Sequence, residues 1–238
     1  MTTLLEMNDV VVRFGGLTAV NGATLSLSAH EIHALIGPNG AGKSTVINCI
    51  SGFQRSSAGE IRLAGKALGR ADPATVARSG VARSFQTPHL FKRLTVADNI
   101  RVAHRRAKHA AYNVDTLLAL VGLDDVADRP AEILSYGRQR LLEVARALAT
   151  GPRLLLLDEP AAGLSNEENE RLVRLLRRIA GEWDLGILIV EHNVPLVRRV
   201  ADRITVMHHG AVIAQGLPDA VLDEPAVIEA YLGRTREH

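Results

Sequence analysis

Gly37-Pro38-Asn39-Gly40-Ala41-Gly42-Lys43-Ser44-Thr45 decides how this chain is read. It fits the phosphate-binding pattern G-x-x-x-x-G-K-[ST]. A strand-like apolar run, Ile32 to Ile36, precedes it, and a helix-like run, Thr45 to Ile50, follows. Strand, loop and helix are the context in which the pattern has a physical meaning. Glycines let successive backbone N–H groups curl round a polyphosphate because no Cβ blocks the approach. The helix N-terminus behind the loop adds partial positive charge. Lys43 has the reach for the β- and γ-phosphates, and the Ser44 hydroxyl suits Mg²⁺.

A second acidic motif supports the first. Leu154 to Leu157 is an apolar strand that ends in Asp158 and Glu159. Acids at the carboxyl end of a parallel strand sit beside the nucleotide crevice in such sheets. Asp158 is the candidate Mg²⁺ ligand. Glu159 is the candidate for orienting or deprotonating the attacking water.

Composition agrees with an α/β nucleotide-binding core. The 238 residues suffice for one large domain or two small lobes. Aromatics make up only 3% of the chain while hydrophobics reach 47%, which suits aliphatic parallel strands covered by helices. A net charge of +2 gives no ground for a nucleic-acid partner. Arg101, Arg105, Arg106 and Lys108 read as a solvated helix face. The single cysteine, Cys49, excludes an internal disulfide and reads as a packed core residue. No apolar run has the length of a membrane span, and the first residues alternate like a strand rather than a signal peptide. A soluble cytoplasmic protein, able to sit on a membrane through a partner, is expected.

Along the chain, Leu4 to Val12 and Ala23 to Leu27 read as strands joined by a turn at Gly15 and Gly16. Gly59 to Leu63 reads as a short strand. Val76 to Val81 passes through a helix end at Gly80 into a strand ending at Gln86. From Thr95 to Ala149 the pattern is helical, with Thr95 and Ser135 as N-caps and a stop at Gly122. Strand signals return at Leu154 to Leu157, Ile187 to Val190, Arg203 to Met207 and Ala211 to Ala214. A helix from about Asn166 to Ala180 lies between the first two. Pro225 opens a last short helix to Leu232.

Leu134-Ser135-Tyr136-Gly137-Arg138-Gln139-Arg140 stands just before the acid-ended strand. Here the chain resembles the ATP-binding subunits of ABC transporters, whose signature Leu-Ser-Gly-Gly-Gln opens a helix. The resemblance implies one ATP-binding domain over 1–238: a P-loop NTPase core with a mostly parallel central sheet, an antiparallel β subdomain on the N-terminal side and an inserted α-helical subdomain. The core lobe is expected at about 1–86 and 150–238, and the helical lobe at about 87–149. ATP and Mg²⁺ are the implied cofactors. Gly37, Pro38, Asn39, Gly40, Ala41, Gly42, Lys43, Ser44 and Thr45 would hold the phosphates. Ser135 and Gly137 would face the γ-phosphate bound by an opposing chain. Phe14 resembles the aromatic that stacks on adenine, although a lone Phe after a strand also suits a core. Gln86 resembles the glutamine that senses Mg²⁺, and His192 the switch histidine at the γ-phosphate. Lys43, Gln86, Glu159 and His192 carry the implied catalysis, and Ser44, Gln86 and Asp158 the implied metal contacts. Ala161-Ala162-Gly163-Leu164-Ser165 occupies the loop that meets the partner chain.

Tyr136 and Arg138 depart from the signature, and Arg138 could meet a phosphate, the partner chain or only solvent. Ser165 stands where an Asp is usual. The segments Arg13-Phe14-Gly15-Gly16-Leu17-Thr18-Ala19-Val20 and Val227-Ile228-Glu229-Ala230-Tyr231-Leu232-Gly233 are similar to those of branched-chain amino acid importers. The implied partners are integral membrane permease subunits, a second ATP-binding subunit and, indirectly, a substrate-binding protein. The implied location is the inner face of the cell membrane. Alternatives are the ATPase of another ABC system, such as lipopolysaccharide export, a soluble ABC ATPase acting on DNA or ribosomes, and a nucleotide-gated module with little catalysis.

Overall fold

The structure is a computed structural model and describes residues 3–68, 71–85, 87, 89–105 and 112–232. Two sheets and the helices enclose two hydrophobic cores. The first is antiparallel, in the order β2-β1-β4-β5, from β1 (Thr3–Phe14), β2 (Leu17–Ser28), β4 (Ala58–Leu63) and β5 (Lys66–Ala67). The second has the order β10-β9-β3-β8-β7-β6, from β3 (Ile32–Ile36), β6 (Val81–Arg83), β7 (Leu154–Asp158), β8 (Gly186–Val190), β9 (Arg203–His208) and β10 (Ala211–Gly216). All neighbours in it are parallel except β9 and β10.

The parallel strands read as unbroken aliphatic runs because both faces are covered. Alternation sends their residues to two cores. Leu155 and Leu157 of β7, with Ile187 and Ile189 of β8, join the core under the helices. Leu154, Leu156, Leu188 and Val190 join the core shared with the antiparallel sheet and α1 (Lys43–Ile50). Leu188 is fully buried, so Leu188→Ala is expected to cost about 2–5 kcal/mol.

The helical core contains α3 (Val96–His104), α4 (Val114–Val121) and α5 (Tyr136–Leu148). Each starts where its cap residue dictates. The side chains of Thr95, Asn113 and Ser135 accept from the backbone N–H groups of Asp98, Thr116 and Arg138. Gly122 ends α4 in the left-handed region. The helix α6 (Asn166–Glu182) opens with a complete capping box between Ser165 and Glu168. It packs with α7 (Val194–Val200) on the same face.

Several boundaries differ from the sequence reading. The first two strands run on to the Gly15–Gly16 turn, since pairing holds as far as Phe14 opposite Leu17. The strand expected to reach Gln86 stops at Arg83. Ser84 N still donates to Leu156 O, but Phe85 N turns to the Glu143 carboxylate on α5. The short helices α2 (Pro73–Arg78) and α8 (Pro218–Leu222) start around prolines. The last helix, α9 (Pro225–Leu232), begins at Pro225 as expected. Cys49 is buried, and burial pushes its thiol up to about 11, which removes it as a nucleophile at neutral pH.

Candidate functional site

Strand order builds the site. The phosphate loop follows β3, His192 follows β8 and Glu159 follows β7, and these strands lie side by side in the order β3, β8, β7. One strand, β8, therefore separates Asp158 from the strand that leads into the phosphate loop. Val190 of β8 lies level with both Leu35 and Asp158. All three strands end at one edge, where loops and helix N-termini gather.

The phosphate loop is tightly enclosed. Gly37 has φ 146° and Gly42 φ 104°, both in the region that favours glycine. A Cβ on Gly42 would stand 2.5 Å from Ala19 O, and one on Gly37 would strike Met207 O. So β2 and β9 press on the loop from outside, and Gly210 N further ties it by donating to Ala41 O at 3.0 Å. Pro38 is half-buried, Asn39 and Gly40 are exposed, and Ala41 is buried. Ser44 is exposed and Thr45 half-buried on the first turn of α1. Lys43 Nζ donates to Gly37 O at 2.7 Å and Pro38 O at 2.9 Å. Burial pulls the Lys43 pKa below its ordinary value, partly opposed by the charges of Glu159 and Asp158.

Glu159 and His192 meet across this edge, Oε1 to Nδ1, at 3.8 Å. Glu159 has φ 49°, and its backbone N–H is held by Val190 O at 2.9 Å. A non-glycine residue there marks a place where the fold overrides local preference. Asp158 is 3% exposed. Its Oδ2 accepts from Arg83 Nη2 at 2.9 Å, while Oδ1 is buried with no hydrogen-bond partner. That oxygen suits a hard cation, which the charge of Asp158 and an exposed Ser44 hydroxyl could receive. Among the described residues there is no group of three or more His, Cys, Asp or Glu suited to a metal.

Phe14 is 49% exposed at the hairpin end whose second strand lies on the phosphate loop, so it is not a core residue. Gln86, expected at the metal, and Pro88 lie outside the described residues, as do Arg106 and Lys108.

Ser135 is exposed as the N-cap of α5, and Gly137 is buried. A Cβ on Gly137 would fall inside the Glu168 carboxylate, and Ser135 Oγ lies 3.4 Å from Glu168 Oε1. Arg138 is answered by its own chain: Nη2 donates to Asp125 Oδ1 at 2.6 Å and to Gly122 O at 3.2 Å. Tyr136 packs its ring on Gly163, where a Cβ would come within 3.0 Å.

Sequence reasoning misses Glu191, the residue before His192. Its buried carboxylate joins two loops, accepting from Ala161 N at 2.9 Å, His192 N at 3.2 Å and Asn193 N at 3.4 Å. Burial raises its pKa despite these donors. Sequence reasoning misses Arg83 as well. A basic residue ending a buried strand is the only trace of it in sequence, because its partner, Asp158, lies 75 positions away.

A phosphate-loop motif on one strand, a carboxylate at the end of another and a histidine on the strand between them define a P-loop nucleotide-binding enzyme. Residues 20–162 match the family described as ABC transporter, and residues 211–236 match the one described as branched-chain amino acid ATP-binding cassette transporter. The chain belongs to the ATP-binding subunits of ABC transporters and is an ATPase. It is 40% identical to the high-affinity branched-chain amino acid transport ATP-binding protein BraF of Pseudomonas aeruginosa, over 97% of this chain and 98% of that one. It is 41% identical to LivG of Escherichia coli K12, described in the same words, with the same coverage. Among solved structures, the ADP conformation of MJ1267, an ATP-binding cassette of an ABC transporter, superposes with a TM-score of 0.88 at 30% identity, covering 98% of this chain and 100% of that one. Among the described residues no helix is long and apolar enough to cross a membrane.

Proposed function

We propose that this chain hydrolyses ATP within a head-to-tail pair on the inner face of the cell membrane, and so powers an importer of branched-chain amino acids or a related small amino acid or amide. The observation that carries the ATPase half is the meeting of Glu159 and His192 at 3.8 Å beside the enclosed Lys43. The importer half is supported by the likeness to branched-chain amino acid transport proteins over nearly the whole chain. The same likeness does not favour lipopolysaccharide export.

In this reading Lys43 leaves Gly37 O and Pro38 O for the β- and γ-phosphate oxygens. Backbone N–H groups from Gly40 to Thr45 take the remaining phosphate charge, and Phe14 covers the adenine. Ser44, Asp158 and Gln86 would hold Mg²⁺, which would supply neutralisation of the phosphate charge. Glu159 accepts the proton of the attacking water, and His192 donates to the γ-phosphate. Ser135 and Gly137 of the opposite chain close over that phosphate. In the same reading the core lobe spans about 1–86 and 150–238, and the helical lobe about 87–149.

A groove of about 900 Å³ lies away from the phosphate loop, lined by Phe53, Val76, Arg83, Phe85, His89 and Arg146. We assign it to a segment of the permease, beside the exposed Phe91. A substrate-binding protein would act through the permease alone.

The test is capture by the Glu159→Gln variant from detergent-solubilised native membranes with ATP and Mg²⁺, read by mass spectrometry. Polytopic membrane proteins, with or without a second ATPase, are the expected catch. Ribosomal or DNA-associated proteins without a membrane partner would leave only the ATPase core of the reading.

A further inference from the structure

Arg83 ends β6 level with Leu156 of β7, and its guanidinium touches two regions at once. Nη2 donates to Asp158 Oδ2 at 2.9 Å. Nη1 donates to Asn48 Oδ1 at 2.6 Å and to Ser51 Oγ at 3.0 Å. Ser44, Asn48 and Ser51 share one face of α1 by their helical spacing. The same guanidinium lies over the Phe85 ring, 4.9 Å from its centroid, and 5.7 Å from that of Phe53. Both rings line the groove, and stand edge to face with centroids 5.9 Å apart. The ion pair is nearly dry, with side-chain exposures of 10% for Arg83 and 4% for Asp158.

These contacts have a directional consequence. The bond to Oδ2 restrains rotation of the carboxylate, and with it the direction of Asp158 Oδ1, which is buried without a hydrogen-bond partner. The bonds to Asn48 and Ser51 fix the face of α1 that also carries Ser44. Outer residues of this kind orient a metal's ligands. On the other side, the cation lies against two rings that line the groove. Arg83 lines the groove as well, so a segment that packs on Phe53 or Phe85 there bears on the surroundings of the guanidinium.

We propose that Arg83 is a positioning residue that sets Asp158 and the Ser44 face of α1 for Mg²⁺, and that Phe53 and Phe85 make this setting responsive to what fills the groove. The second half rests on the importer reading; the first does not.

The first half is tested on the isolated chain by calorimetric ATP binding, once with EDTA and once with Mg²⁺. In Arg83→Met the affinity in EDTA should stay near wild type, while the gain on adding Mg²⁺ shrinks roughly tenfold. Arg83→Lys should recover part of that gain. An unchanged gain in Arg83→Met, or an equal loss under both conditions, overturns the proposal. Should Arg83→Met fail to fold, Asn48→Ala keeps the buried ion pair and removes one anchor of it. A smaller shift in the same direction is then expected, and no shift overturns the idea. The second half is tested with the permease subunits reconstituted. Permease should lower the Mg²⁺ concentration for half-maximal turnover of the wild type, and Phe53→Ala should abolish that change. Stimulated turnover with an unmoved Mg²⁺ requirement overturns the groove link. No stimulation of the wild type at all overturns the importer reading and leaves the isolated-chain result standing.

Discussion

The helices behind Gly42 and Ser135 are the two N-termini that the proposed function sets against phosphate, but their surroundings are opposite. The α1 end has no side-chain cap and no acid in its first turn, and it is walled in by Ala19, Met207 and Gly210. Its lysine is already inside the loop. The α5 end is exposed, capped by Ser135 and faced by the Glu168 carboxylate of the same chain. The first is enclosed by its own chain. The second is exposed at its cap, with the Ser135 hydroxyl 3.4 Å from the Glu168 carboxylate. A site shared between two copies would divide its parts in this way: binding energy on the closed side, and closure on the open one.

Substitutions break this contrast by different amounts. Lys43→Ala should do the most harm, removing a buried charge partner of the phosphates at a cost of about 2–5 kcal/mol in ATP affinity. Nucleotide titration measures it, and an unchanged affinity would undo the assignment of the loop. Glu159→Gln should leave ATP affinity intact and slow turnover about 10²–10⁴-fold. With ATP it should run as a dimer in light scattering, because the pair closes and cannot reopen.

Gly137→Ala probes the open side. The added methyl group must displace Glu168, at about 1–3 kcal/mol of overpacking. ATP binding to the single chain should survive while ATP-driven dimerisation weakens. Equal loss of both would mean that the two helix ends are not separable. Arg138→Ala should be nearly silent. Its ion pair with Asp125 is partly exposed, so the loss is about 0–1 kcal/mol in thermal stability, with turnover retained. A collapse of turnover would show that Arg138 reaches a partner after all.

The smallest effect concerns acidity. The Ser165 N–H holds the Glu168 carboxyl below its usual value of 4.5, with help from the Ser165 and Ser135 hydroxyls and Arg171 against a small cost of burial. A depressed pKa adds stability above the unfolded value, and that stability is lost as pH falls through the folded one. Glu168→Gln should therefore lower the melting temperature at pH 7 and leave it unchanged at the acid end of the titration. The difference between the two proteins should disappear as pH drops below 4.5. Parallel melting curves at all pH values would show that this carboxylate does not bind the capping box in its charged form.

The chain's own order of residues determined most of the nucleotide machinery. The phosphate loop, the acid pair, the signature cap and the helix stop at Gly122 are local patterns, each governed by backbone chemistry over a few residues. The aliphatic runs at 154–157 and 187–190 likewise announced buried parallel strands. Tertiary structure decided what depends on distant partners. Strand order put β8 between β3 and β7, and so brought His192 to Glu159. It ended β6 at Arg83 by offering Phe85 a carboxylate from α5. It turned Arg138 back to Asp125, made Glu191 the tie between Ala161 and His192, and delivered Arg83 to Asp158. Each is a charged or polar side chain whose meaning lies in a buried partner. Burial makes such pairing obligatory, but only the packed fold chooses the partner.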